Sequence, residues 1–458
     1  MAEDPALCRG YGCQIESLQS MSVLVGELYK FLGPNEARRV FMTVWQFTEQ
    51  LLPLYISQVI SPPDSVGGNG GDGGDGGDGG NGGNGGNGGN GGAKVEESSI
   101  YDDEGNGVGI DVLMVQIFEF LNAVAVVPHS SVRSLLSQGM SQIVRTCAVV
   151  IQLTSDQLEQ WESGKIDDSG DEDIGSLELG DLQARNVAAV LMYELMDSFT
   201  EEALAAVSSA FGWSVQTAEA ARASGDSHWW KPLESAMLVA GIVSRAVQDQ
   251  TSDGNAGGGE ASAAASFCTS SVVATALALI KSPQHVPPVL WSRSMWVLGR
   301  FSWALTSEQG SECFTVGATT LSSHQSVPVR MASCRALLEL HPHLINSSES
   351  RASLLMSAVQ GTCNLLSSTS GDALPIVVGA LSQFITHAGP DIAASVEPHL
   401  TPILVQIWSA HAANPHLCGS IVDVFQSIAV NPSALPGLQS RLLPTLCSLV
   451  SAHATNLP

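Results

Sequence analysis

The residues best suited to chemistry in this chain are carboxylates in one acidic segment, residues 159–181. Five of them lie close together in its middle: Asp167, Asp168, Asp171, Glu172 and Asp173. Lys165 is the one basic residue beside them, and Gly164, Ser169 and Gly170 disfavour a stable helix across the segment. Carboxylates on a mobile loop can pair with Lys and Arg in many registers, which predicts a clamp for a basic partner. The alternative is an ordinary solvated loop.

The chain lacks the motifs of enzyme and metal sites. It contains no H-E-x-x-H, no Walker A lysine and no G-x-S-x-G. Residues 68–73 match G-x-G-x-x-G, but they belong to a run of Gly-Gly-Asn and Gly-Gly-Asp triplets without a preceding strand. His341 and His343 have no second ligand cluster nearby, and His228 is better explained by capping or packing. We therefore expect no enzyme activity, no metal and no cofactor.

The charge balance narrows the partner classes. The 458 residues include 45 acidic and 19 basic side chains, for a net charge of −26. A general nucleic-acid binder needs a basic footprint on the phosphates, so direct nucleic-acid binding is not expected. The acidity favours basic partners, held by an attraction that salt weakens, or it serves solubility alone.

Cysteine usage and hydropathy indicate a soluble intracellular protein. The nine cysteines include no C-x-x-C pair, which is typical of a reducing compartment without disulfides or structural zinc. The first residues lack the basic start and apolar core of a signal peptide. The longest apolar stretch, residues 112–127, is too short and too polar to span a membrane.

A repeated pair of helices is the structural unit that we expect to position the acidic segment. From Trp291 onward, an amphipathic helix pair recurs about every 40 residues, the period of HEAT and armadillo repeats. Each repeat has an anchor just after a proline, glycine or asparagine: Trp291-Ser292-Arg293, Val329-Arg330, Leu374-Pro375 and Leu417-Cys418. Long period-two alternation is missing, so the sequence predicts an all-α fold, a right-handed HEAT-repeat α-solenoid of stacked antiparallel helix pairs.

Composition shifts divide the chain into three parts. Residues 1–60 are predicted to be N-terminal helical repeats, and residues 61–109 a disordered Gly/Asn/Asp-rich insert. The solenoid follows over residues 110–458, with the acidic loop at 159–181 and a Gly-rich insert at 253–262. Before Trp291, its helices are predicted at 110–127, 130–153, 181–197, 200–223, 229–250 and 263–281.

Arginines within apolar helix patterns have two possible roles. Their stems could pack along the stack while the guanidinium groups bond loop carbonyls or a neighbouring Asp, or they could contact a ligand. The residues concerned are Arg185, Arg293, Arg300, Arg330 and Arg335.

Three stretches, in this order, resemble the importin-β (karyopherin-β) family. The first is residues 153–161, which lead into the acidic segment. The second is His228-Trp229-Trp230-Lys231 with residues 234–238, and the third is residues 292–301 with residues 327–330. The resemblance covers about residues 110–450.

The resemblance implies a nuclear import receptor found in both cytoplasm and nucleus. Such a receptor binds basic cargo proteins, such as histones or ribosomal proteins, contacts Phe-Gly nucleoporins, and releases its cargo to Ran-GTP. It implies a cargo or Ran contact for Asp167, Asp168, Asp171, Glu172 and Asp173. The family's Ran-binding N-terminal domain has no visible counterpart before residue 110. The alternative is therefore a HEAT-repeat scaffold, or a non-autonomous part of an importin without transport activity.

Overall fold

The computed structural model describes residues 11–28, 31, 33–61, 109–127, 130–163, 184–252, 260–346, 348–369 and 373–454. Within these ranges, every regular element is a helix. Across the same ranges, no helix combines the length and apolar character that crossing a membrane requires.

The α-helices are numbered in chain order. They are α1 (Tyr11–Leu28), α2 (Pro34–Tyr55), α3 (Ile110–Val126), α4 (Ser130–Val150), α5 (Ser155–Glu162), α6 (Ala184–Ser198), α7 (Thr200–Ala223), α8 (Lys231–Ile242), α9 (Ser244–Ser252), α10 (Glu260–Ile280), α11 (Pro288–Arg300), α12 (Ser307–Ser323), α13 (Val327–Leu340), α14 (Ser348–Leu366), α15 (Ala373–Ala388), α16 (Pro390–Ala410), α17 (Pro415–Ala429) and α18 (Leu435–Ala454).

One compact unit comprises residues 1–155 and 177–198. Its central helix, α3, packs between α1 and α6, while α2 packs against α4. Because α3 has neighbours on several sides, Leu113, Met114 and Phe118 are fully buried. Pro34 lies at the start of α2, where the helix does not need the N–H group that proline lacks. Pro53 lies inside α2, just before a π-helical turn, Ile56–Ile60.

The other unit comprises residues 156–176 and 199–458, and its helices form two rows. One row contains α8, α11, α13, α15 and α17, and the other contains α7, α10, α12, α14, α16 and α18. Helix pairs connect the rows, for example α12 with α13 and α14 with α15. The four sequence anchors lie in the first two turns of α11, α13, α15 and α17, so the predicted period places equivalent helices in the same row.

The helix predicted over residues 229–250 is wrong in one respect, because it is two helices. α8 ends at Ile242 and α9 begins at Ser244. The Trp296 ring of α11 packs against Gly241, where an added Cβ would lie 2.0 Å from the ring. Helix α10 begins at Glu260, so the last positions of the predicted Gly-rich insert at 253–262 are helical.

The predicted domain boundaries stay predictions. Residues 62–108, almost all of the Gly/Asn/Asp-rich insert, lie outside the described residues, and so do residues 253–259.

Three of the five arginines, Arg185, Arg293 and Arg330, use their guanidinium groups to bond neighbouring parts of the stack, as one of the two predicted roles requires. Arg185 donates to the carbonyl of Ile151. Arg330 donates from Nε to the Leu321 carbonyl at 2.9 Å and reaches α14 through Gly361 O and Ser368 Oγ.

Arg293 bonds to a glutamate rather than to the expected aspartate. Its Nε lies 3.0 Å from Oε1 of Glu234, so α11 is linked to α8. Arg300 differs, because its Nε is buried without a partner among the described residues.

Removing one partner of the buried pair of Arg293 and Glu234 should strongly destabilise this region. Their side chains are only 2% and 0% exposed. Arg293→Ala removes a buried cation from beside a buried carboxylate, so we expect the free energy of unfolding to fall by about 3–5 kcal/mol. Urea denaturation followed by circular dichroism measures the change.

The matched control is Lys281→Ala, which breaks a surface pair with Glu312 whose side chains are 50% and 45% exposed. A loss below about 1 kcal/mol is expected there. Equal losses in the two variants would contradict the role assigned to the buried pair.

Candidate functional site

The five residues predicted to contact cargo or Ran lie outside the described residues. Asp167, Asp168, Asp171, Glu172 and Asp173 fall within residues 164–183. Their role therefore stays a prediction.

The described beginning of the acidic segment is a short helix, α5, where the sequence analysis expected no helix. Gln157 and Trp161, four residues apart, bury one face of this helix. Asp156, Glu159 and Glu162 recur at three-residue spacing on the exposed side. Asp156 also lies in the first turn, where the helix dipole favours a negative charge. The spacing of Gln157 and Trp161 was the signal that could have revealed α5.

A second candidate site is a groove that the sequence analysis missed. It lies along α9, α10, the turn at residues 302–304 and the start of α12, with a volume of about 670 Å³. Its apolar wall comes from one helix, α10: Val273, Ala274, Leu277 and Ala278. Hydroxyl and amide groups come from Thr269 and Ser270 of α10, Thr251 of α9 and Gln309 of α12, and Lys281 and Ala304 complete the lining. The groove is of a size that fits a small ligand or a few peptide side chains.

The groove opens between α10 and α12, which make few close contacts with each other. Polar links hold the end of α10 in place. Trp291 Nε1 donates to the Ile280 carbonyl at 3.4 Å, and Lys281 Nζ lies 2.9 Å from Glu312 Oε2. At the other wall, Thr306 and Gln309 form a reciprocal capping box that fixes the start of α12.

Burial disfavours the thiolate form of three helix cysteines, Cys313, Cys334 and Cys363. Burial, and secondarily the charge of Glu312, raise the pKa of Cys313 to about 12. Burial likewise raises the pKa of Cys334 and that of Cys363 to about 11. Because a thiolate is the reactive form, these side chains act as small apolar groups.

The histidines singled out in the sequence have structural contacts. His343 Nε2 donates to the Ser302 carbonyl at 2.9 Å, and its ring lies against Gly310. The His341 ring stacks on His387 of α15. His228 lies in the turn before α8, where its backbone N–H donates to Asp226 Oδ1 at 2.7 Å. In the part of the chain that the structure describes, no group of His, Cys, Asp and Glu side chains could hold a metal ion.

The stacked helix pairs are similar to a solved nuclear transport receptor, Lph2 of S. cerevisiae, described as bidirectional. The TM-score is 0.56 at 12% sequence identity, and the match covers 97% of this chain and 43% of that one. This likeness confirms the predicted fold class, an all-α solenoid of HEAT type.

The sequence itself is similar to Importin-9 of Drosophila melanogaster. The two are 21% identical over 441 residues, which make up 95% of this chain and 38% of that relative. No family model matches the chain. The chain therefore spans less than half the length of both proteins. The resemblance to the importin-β family, drawn from three short stretches, is confirmed over nearly the whole chain.

Thiol reactivity tests the burial around the groove. At pH 8 we expect maleimide to modify the exposed Cys13 and Cys447 first. Cys313 should react on the order of 1,000-fold more slowly than an ordinary exposed thiol, because its pKa lies about three units higher. Peptide mass spectrometry at timed quenches measures the rates. Modification of Cys313 as fast as Cys13 would show that the Cys313 thiol is accessible to solvent rather than buried.

Proposed function

We propose that this chain acts in nuclear transport as a receptor for basic protein cargo, moving between cytoplasm and nucleus under the control of Ran-GTP. The observation that carries the proposal is the similarity to Importin-9 over 95% of the chain. The likeness of its helix pairs to a transport receptor supports it. Since the chain spans 38% of Importin-9, the activity of a whole receptor is part of the proposal.

Charge supports basic cargo such as histones or ribosomal proteins. With a net charge of −26, the chain attracts positively charged proteins at long range. The exposed carboxylates of Asp156, Glu159 and Glu162 on α5 lead into the acidic segment. We propose that this segment contacts cargo or Ran through Asp167, Asp168, Asp171, Glu172 and Asp173.

The groove along α10 supports contact with Phe-Gly nucleoporins. Its wall of Val273, Ala274, Leu277 and Ala278 is apolar, and its volume accommodates an aromatic side chain together with its flanking backbone. The hydroxyl and amide groups of the groove can bond that backbone. We propose that a Phe side chain of a Phe-Gly segment occupies this groove.

Neutralising the acidic segment should weaken cargo binding. Asp→Asn at 167, 168, 171 and 173 with Glu→Gln at 172 removes five charges, so we expect the Kd for a core-histone dimer to rise about tenfold at low salt. The loss should shrink as salt rises, because screening already weakens the attraction. Fluorescence anisotropy across a salt series, with and without Ran-GTP, measures both effects.

The matched control neutralises five exposed carboxylates on other helices: Glu16, Glu27, Glu36, Glu219 and Asp423. Its Kd should rise less than that of the test variant. Equal effects would assign the attraction to net charge rather than to the segment. Absence of histone binding and of any response to Ran-GTP would instead favour a static HEAT scaffold.

A charge placed in the groove should abolish binding of Phe-Gly segments. Ala274 and Ala278 are exposed, so Ala274→Glu together with Ala278→Glu leaves the helix core intact. Burying an aromatic ring beside a carboxylate is unfavourable, and we expect at least about a tenfold loss of affinity for a synthetic Phe-Gly repeat peptide. Ala220→Glu, on the exposed side of α7, is the control. Unchanged peptide affinity in the double variant would remove the groove from this role.

A further inference from the structure

Two histidines from different repeats stack on each other at one end of neighbouring helices. His341 directly follows α13, and His387 lies in the last turn of α15. Their ring centroids are 4.0 Å apart, and their planes are inclined by 28°. Because α13 and α15 are neighbours in one row, the ring pair is a side-chain contact between successive repeats.

Hydrogen bonds hold this pair in place. His341 Nδ1 lies 2.5 Å from the Leu338 carbonyl, so Nδ1 carries the proton that it donates to this oxygen. Arg351, in the first turns of α14, donates from Nη2 to the His387 carbonyl at 3.4 Å. Three helices therefore bring two imidazoles and one permanent cation together.

The charged groups around His387 disfavour a proton on its ring. Burial, then His341, then Arg351 lower the pKa of His387 below its ordinary value. Helix α15 contributes no other ionisable side chain. The other ionisable groups on elements packed against α15 near this end include the carbonyl-bound His343 and three exposed carboxylates: Glu339, Asp391 and Asp423.

None of these three carboxylates neutralises the positive charges near His387 at close range. The Ser427 hydroxyl of α17 lies within 3.1 Å of the hydroxyls of Ser382 and Thr386. Asp423 lies one helical turn before Ser427, so it is set back from the His387 end of α15. Glu339 and Asp391 point into solvent, which screens their charges. A proton on the His387 ring therefore adds a positive charge beside Arg351 in a half-buried site.

We propose that the stacked His341–His387 pair is a proton-sensitive contact between α13 and α15, closed when the His387 ring is neutral and loosened when that ring is protonated. The proton comes from solvent and returns to it, so the change is reversible. The contact would let this end of the two repeats separate without unfolding their cores, in which Leu337 and Leu381 are fully buried. The proposal is independent of cargo and of Ran.

The direction of the pH dependence follows from linkage. When the folded-state pKa of a histidine lies below its unfolded value, the unfolded or opened state binds the proton more tightly. The contact is therefore fully stable above the ordinary histidine pKa of about 6.5, and it loses stability as the pH falls below that value.

Hydrogen–deuterium exchange on the intact chain tests the proposal. Between pH 7.5 and 5.5, after correction for intrinsic exchange, protection at the end of α15 should fall about threefold in the unsubstituted chain. In His387→Gln this pH dependence should disappear, because a neutral side chain occupies the site at every pH. The control is His416→Gln, an exposed histidine of α17, which should keep the pH dependence of the unsubstituted chain.

An equal pH dependence in the unsubstituted chain and in His387→Gln would overturn the proposal. If His387→Gln does not fold, NMR titration of the histidine rings in the unsubstituted chain decides instead. The proposal expects His387 to titrate below the ordinary histidine range. Titration of His387 at the ordinary value would overturn it.

Discussion

Apolar burial between successive helix pairs is the constraint on which the other features depend. The fully buried side chains of α11, α13, α15 and α17 form a continuous core along one row: Leu290, Leu298, Leu337, Val377, Leu381 and Ile421. A helix of this kind gains its stability from its neighbours rather than from its own propensity. The faces that point away from the neighbours stay free for partners, which is why such a fold suits a protein that binds other proteins.

Polar contacts set how one repeat sits on the next. Glu234 with Arg293, the carbonyl bonds of Arg330, and Glu397 with Arg441 each join helices of different repeats. A buried ion pair adds little net stability over an apolar pair, but a misplaced helix leaves its charges unpaired at a cost of several kcal/mol. These contacts therefore specify register, while the apolar core supplies the bulk of the stability.

The candidate binding features lie where this packing is incomplete. The groove opens between α10 and α12, which make few close contacts with each other, and the α5 carboxylates point away from the buried Trp161. The stacked His341 and His387 rings likewise lie at the edge of the core between α13 and α15. Arg351 donates to the His387 carbonyl at the same place. None of these features is part of the fully buried core, so the proposed ligands or proton would not require the core to rebuild.

The sequence by itself determined the helix class, the period, most helix starts and the acidic balance. These follow from local chemistry: Pro288, Pro328 and Pro415 lie in first helical turns, and apolar spacing repeats with each turn. Three short stretches were also enough to reveal the family resemblance. Only the tertiary structure decided the break between α8 and α9, the groove and the His341–His387 pair. Each depends on residues that are distant in sequence, such as Gly241 and Trp296, and local periodicity carries no information about which of them meet.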